Sequence, residues 1–156
     1  MIEKPIRATP PIWLFAALTF LGPAVPAAQA GGSGMKVQVL LIWATNDPKS
    51  PKPEHKPVEA DIRKKLEELP LKWSHYFEEK RKVLEIPKGE MQRVSMSGTC
   101  ETELKNTDGS RIEITHFGKG KNLGTRSQAF PKGEIIALGG NAPNSTGWLL
   151  VLKRVE

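Results

Sequence analysis

Cys100 is the only cysteine in the 156 residues. A chain with one thiol forms no internal disulfide, so folding rests on packing alone. The ordinary state of such a lone cysteine is a small buried hydrophobe. Metal ligands are equally scarce. His55, His75 and His116 are the only three histidines, and none pairs with Cys100 or another histidine at a zinc-binding spacing. No glycine-rich phosphate loop opens a helix, because Gly139-Gly140 lies between two β-like segments. There is no Gly-x-Ser-x-Gly nucleophile elbow. With these signatures missing, neither a catalytic residue set nor a cofactor nor a metal is expected.

Long apolar runs are also few, and the longest lies at the start. Ile12 to Leu21 carries no charge and follows Lys4 and Arg7. Gly22, Pro23 and Pro26 then break a helix, and Ala28-Gln29-Ala30 is a small-x-small site before Gly31. Residues 1–30 read as a secretory signal peptide cut between Ala30 and Gly31. The run is about half the roughly 20 residues needed to cross a bilayer, so cleavage is expected rather than anchoring. No cysteine is present there to acylate. No transmembrane segment is expected after its removal. Export to the periplasm or beyond follows.

The remaining residues are the size of one domain. Removing Lys4, Arg7 and Glu3 lowers the formal charge from +6 to +5. That mild excess suits an acidic partner without requiring one.

Residues 31–35 read as a flexible leader and 36–156 as one β-rich domain. Lys36 to Thr45 is a strand, and its unbroken apolar run from Val39 to Ala44 predicts burial on both faces. Asn46 to Pro57 holds four prolines and predicts an exposed loop that neither packs nor pairs. Val58 to Leu69 is the one amphipathic helix, with Ile62, Leu66 and Leu69 on one face and Pro70 as its stop. Trp73, Tyr76 and Phe77 follow, expected to plug the helix onto a sheet.

From Lys80 onward the signals are β: Arg81–Ile86, Met91–Ser97, Cys100–Lys105, Arg111–Phe117, Asn122–Phe130, Glu134–Leu138 and Trp148–Val155. Asp108-Gly109 marks one hairpin turn. Pro87-Lys88-Gly89 and Pro131-Lys132-Gly133 share a turn chemistry, read as one hairpin design used twice. In Cys100–Lys105, Cys100, Thr102 and Leu104 face inward, as do Ile112 and Ile114 on the next strand. The fold class is α+β and mainly β. About seven or eight antiparallel strands form a sandwich or partly open barrel, with one short helix near the N-terminus.

Two sites are candidates. Phe117 to Lys132 holds Lys119, Lys121, Arg126 and Lys132 with no acidic residue. Such a stretch suits a polysaccharide or anionic lipid, or simply a solvated edge. Nucleic acid is disfavoured, because only Phe117 and Phe130 flank it and the chain is exported. The second candidate is a thiol-dependent pair, Cys100 with His116. A hairpin symmetric about residues 107 and 108 would set Cys100 opposite residue 115 and turn His116 to the other face. Asn144-Ser145-Thr146 fits an N-glycosylation sequon, which in a bacterium marks only a polar loop.

Several pieces together resemble small secreted β-rich proteins of Gram-negative bacteria, a group without an assigned activity. They are the segment from Val39 to Asn46, Lys72-Trp73-x-x-Tyr76-Phe77, Ile86-Pro87-Lys88-Gly89, and Pro131-Lys132-Gly133 with Leu138-Gly139-Gly140. The resemblance implies a β-rich envelope domain and carries over no catalytic residue. The expected function is an exported, non-enzymatic binding or structural module, partnered by an envelope protein or an acidic polymer.

Overall fold

The structure is a computed structural model describing residues 34–156. The expected signal peptide, its Ala30–Gly31 junction and residues 31–33 lie outside the described residues.

The run from Val39 to Ala44 sets the architecture. It belongs to Met35–Thr45 (β1), which starts one residue earlier than predicted, with Met35 fully buried. Met35, Val37, Val39 and Leu41 point into one core, and Leu40, Ile42 and Ala44 into another. A strand apolar on both faces must be covered on both, and it is. It is the central strand of a five-stranded antiparallel sheet. The order is Lys56–Pro57 (β2), His75–Ile86 (β3), β1, Gly147–Arg154 (β9) and Ile135–Asn141 (β8).

One face of that sheet takes the helix Ala60–Glu67 (α1), which buries Ile62 and Leu66. Each such side chain contributes roughly 1.5–3 kcal/mol of burial. Glu59 precedes the helix without a side-chain cap. Ion pairs tie this end down instead: Glu59 meets Arg81 at 2.6 Å and Lys153 at 3.2 Å, and Asp61 also meets Lys153. Hydrogen bonds from Arg81 to Glu59 and from Lys153 to Asp61 hold both carboxyls below their ordinary range.

The other face packs on a second antiparallel sheet. Its order is Met91–Ser95 (β4), Cys100–Asn106 (β5), Arg111–Gly118 (β6) and Lys121–Ala129 (β7). Cys100, Leu104, Ile112 and Ile114 fill the space between the sheets, and the outer face stays wet, as the alternation predicted. The protein is therefore α+β and mainly β, a two-sheet sandwich with one short helix.

Three expectations need correction. The proline-rich loop does pair: Lys56-Pro57 joins the edge of β3. His55 is also buried there, its Nδ1 lying 2.8 Å from Ser50 Oγ. Second, β3 starts at His75, six residues before the predicted Arg81, and takes in Tyr76 and Phe77. Third, the two Pro-Lys-Gly turns are not hairpins. They are corners: β3 leaves the first sheet for β4 at Pro87, and β7 returns to it through Pro131.

The two corners share more than their sequence. Gly89 and Gly133 adopt φ of 82° and 83°, in the left-handed region that glycine takes freely. Gly89 N–H donates to Asn106 O and Gly133 N–H to Arg154 O. The same two residues reach back with their side chains, Asn106 Nδ2 to Ile86 O at 2.9 Å and Arg154 Nη1 to Phe130 O at 2.6 Å. Ile86 and Phe130, each just before the proline, are fully buried.

Candidate functional site

The sheets part at one end. On the inward face of the first sheet, Trp43 follows Leu41 along β1. Its cross-strand neighbours are Phe77 on β3 and Trp148 on β9. Directly opposite residues in an antiparallel pair point to the same face, so these three rings form a row. All three are only half-buried. The second sheet offers little to cover them. Its inward positions here are His116 and Gly118 on β6 and Gly124 on β7, two of which have no side chain.

The result is an open cleft. A cavity of about 430 Å³ lies among Trp43, Trp148, Cys100, His116 and Lys119. A neighbouring one of about 350 Å³ is walled by Ile114, His116, Arg126, Leu138 and Trp148. Leu123 lines both. It is the extra residue of a bulge in β7, between the pairs His116–Gly124 and Phe117–Asn122. A Cβ on Gly118 would lie 2.6 Å from Leu123 Cδ1, so glycine is what lets Leu123 reach the cleft. A bulge in β3 between the partners of Leu41 and Ile42 likewise leaves Glu79 unpaired, and its side chain joins the wall. Glu79 meets Lys52 at 3.4 Å. On the far side of Trp43 a polar hollow of about 490 Å³ continues among Asn46, Asp47, Ser50, Asn144 and Thr146. A separate hollow of about 320 Å³ lies on the helix side, against Leu69–Trp73 and β8.

His116 stacks on Trp148, with ring centroids 5.3 Å apart and planes at 23°. Its Nδ1 is buried without a hydrogen-bond partner. Burial lowers its pKa from the ordinary 6.5. The unfolded chain therefore binds this proton more tightly than the folded one. The contribution of neutral His116 should be complete well above pH 6.5 and fall as pH drops through it. Glu59 and Asp61 lose their contribution only lower, beneath their ordinary 4.5 and 3.8. Urea melts across the acid side of neutrality should show this slope in the native protein and a flatter one in His116→Gln. An identical slope in both would remove His116 as its source.

The register of β5 on β6 corrects a further expectation. Cys100 pairs with Gly118 and Thr102 with His116, so Cys100 and His116 share the inward face. The reason is the turn. Asp108-Gly109-Ser110 is a three-residue loop between the opposed Thr107 and Arg111, closed by Thr107 N–H to Arg111 O at 3.1 Å. Asp108 Oδ1 accepts from the backbone of both Ser110 and Arg111 at 2.8 Å. The shift relative to the symmetric hairpin is odd, and an odd shift exchanges faces. Both residues line the cleft, yet no hydrogen bond joins them among the described residues. Burial and the adjacent Glu101 raise the Cys100 pKa, while burial lowers that of His116. A thiolate–imidazolium pair requires the opposite shifts. Cys100 should react with thiol reagents at least about a hundredfold more slowly in the native state than in denaturant. Comparable native and denatured labelling rates would contradict this.

The basic stretch is an ordered hairpin, not an open loop. β6 and β7 meet at Lys119-Gly120, with φ of 50° and 76°, and Lys119 N–H donates to Thr99 O at 2.9 Å. The four cations do not converge. Lys119 and Arg126 line the cleft. Lys121 begins β7, and Lys132 lies beyond its far end, on the order of 25 Å away along the strand. Phe117 points to the outer face under Arg93, 4.4 Å from the ring.

Comparisons of the chain with protein-family models, with curated proteins and with solved structures gave no match. Among the described residues no group of three or more His, Cys, Asp or Glu is placed to hold a metal ion. No helix there is long and apolar enough to cross a membrane.

The sequence reading missed the aromatic row. Phe77, Trp43 and Trp148 are remote in sequence, and only the strand register aligns them. The available signals were Trp43, a large ring near the end of an otherwise aliphatic strand, and Phe77 in the aromatic cluster with Trp73 and Tyr76.

Proposed function

We propose that the protein is an exported, non-enzymatic binding module of the bacterial envelope, and that its ligand enters the cleft beside Trp43 and Trp148. The observation that carries this is the Trp43–Trp148 pair, half-buried on a face whose continuation is packed core. Sheet faces in sandwiches are normally covered by the opposing sheet. Here the opposing positions are glycine, histidine and a bulged leucine. Ligand sites are concave and mostly apolar, with a few polar groups. The cleft has that composition. The signal-like start and the resemblance to secreted β-rich proteins support export. The raised thiol and lowered imidazole pKa values favour binding over thiol catalysis.

Anilinonaphthalene sulfonate, an apolar dye with one negative charge, suits such a cleft. The native protein should bind it saturably. Leu123 is 59% exposed, so Leu123→Asp should change stability by only about 0.5 kcal/mol. That substitution puts a carboxylate into both cavities and should abolish dye binding. If the native protein ignores the dye, or Leu123→Asp binds it equally well, the cleft is not the site.

A further inference from the structure

We propose that the ligand of this cleft is an acidic oligosaccharide, a sugar ring stacked on Trp43 beside the His116-covered Trp148 and its carboxylates met by Lys119 and Arg126. This rests on the binding-module reading above. A sugar ring has an apolar C–H face and a rim of hydroxyls. It needs a flat ring to lie on and hydrogen-bonding groups around that ring. The groove supplies both in alternation. Trp43 stands between the apolar cavity and the polar hollow. Beyond it lie Asn46, Ser50, Asn144 and Thr146. Ser50 Oγ is held by His55, Thr146 Oγ1 donates to Pro143 O and Asn46 Oδ1 accepts from Ser74, which leaves Asn46 Nδ2 and the Asn144 amide for a ligand. Among the described residues only Trp73 spends its indole N–H on a protein acceptor, Ser145 O at 2.8 Å. The indole N–H groups of Trp43 and Trp148 remain for a ligand.

Charge gives the sign. Lys119 and Arg126 make no ion pair among the described residues. Of the two carboxylates along the groove, Glu79 is paired with Lys52, and Asp47, whose Oδ1 accepts from Lys49 N–H at 2.9 Å, keeps its charge in the hollow beyond Trp43. The free charges in the His116 half are therefore positive. On the second sheet β7 offers a peptide strand no straight edge, because it is bulged at Leu123 and bent through Gly124, whose φ is 140°. A bare polyanion would use the cations without the indoles.

The test is calorimetry with tryptophan fluorescence on the exported protein. The probes are hexamers of galacturonate, mannuronate and glucuronate, neutral cellohexaose, and polyphosphate. At least one uronate hexamer should bind and shift the tryptophan emission. Cellohexaose should bind about tenfold more weakly, and polyphosphate should leave the emission unchanged. Trp43→Ala should weaken uronate binding by about tenfold or more. Lys119→Gln with Arg126→Gln, both exposed changes that leave the fold intact, should weaken it by about tenfold and leave cellohexaose unaffected.

Failure of all three uronates to bind overturns the proposal. So does equal binding of polyphosphate, or an unchanged affinity in the double glutamine variant. If no saccharide binds while anilinonaphthalene sulfonate still does, the ligand class is wrong and the binding module stands. If neither binds, both fall.

Discussion

Trp73→Ala is expected to lower the unfolding free energy by about 3–5 kcal/mol, the usual cost of deleting a buried tryptophan side chain. The indole of Trp73 lies flat on Gly147, the first residue of β9, where an added Cβ would overlap the ring. Its N–H bonds to Ser145 O, in a turn whose Asn144 and Ser145 both have positive φ, 61° and 58°. Such a turn costs roughly 1–2 kcal/mol per non-glycine residue, so it needs an outside hold. Trp73 provides it, and in doing so packs the helix-side core against the β8–β9 hairpin. Trp73→Phe keeps most of the ring contact and loses the hydrogen bond, so its cost should be smaller, about 1–2 kcal/mol. Urea unfolding of the two variants checks this. A loss below about 1 kcal/mol for Trp73→Ala would mean that the indole does not organise this hairpin.

Asn106→Ala should cost about 2–4 kcal/mol, because it strands buried polar groups at the corner where the chain leaves the first sheet. Asn106 is fully buried. Its Nδ2 donates to Ile86 O, and its Oδ1 accepts from Gly109 N–H at 2.8 Å. One side chain therefore ties the β3–β4 corner to the β5–β6 turn. Arg154→Ala removes the matching contact at the other corner, to Phe130 O. Arg154 is only half-buried, so water can replace it and the cost should be smaller. Equal losses from the two variants would show that burial does not set their difference.

Much of this fold was legible because each strand has to solve a local problem. The apolar run in β1 needs two covered faces, and it has them. Alternation in Cys100–Lys105 named its inward side correctly. The spacing of Ile62 and Leu66 located the helix, but it runs Ala60–Glu67 and not Val58–Leu69, ending before Leu69 and Pro70. Local chemistry does not say which sheet receives the next strand. That is why the Pro87 and Pro131 corners looked like hairpins. Nor does it count turn residues. One more residue than a two-residue loop at Asp108-Gly109 brought His116 to the side of Cys100. The cleft was hidden for the same reason. It depends on register across β3, β1 and β9, on bulges at Glu79 and Leu123, and on what Gly118 and Gly124 leave empty. The basic hairpin was legible as composition, but its sorting was not. Only Lys119 and Arg126 turn toward the cleft, while Lys121 and Lys132 do not line it.

The central claim is that ligands enter between the sheets at Trp43 and Trp148. The most direct measurement is an NMR titration of the indole N–H signals, with anilinonaphthalene sulfonate and then with the tightest-binding uronate hexamer. The Trp43 and Trp148 signals should move on saturation. Trp73 is an internal control, buried on the helix side with its N–H already bonded to Ser145 O. Its signal should stay in place with the dye and move less than those of Trp43 and Trp148 with the hexamer, because Ser145 also lines the hollow beyond Trp43. Movement of Trp73 with Trp43 and Trp148 fixed, or no movement of any of the three, would contradict the account.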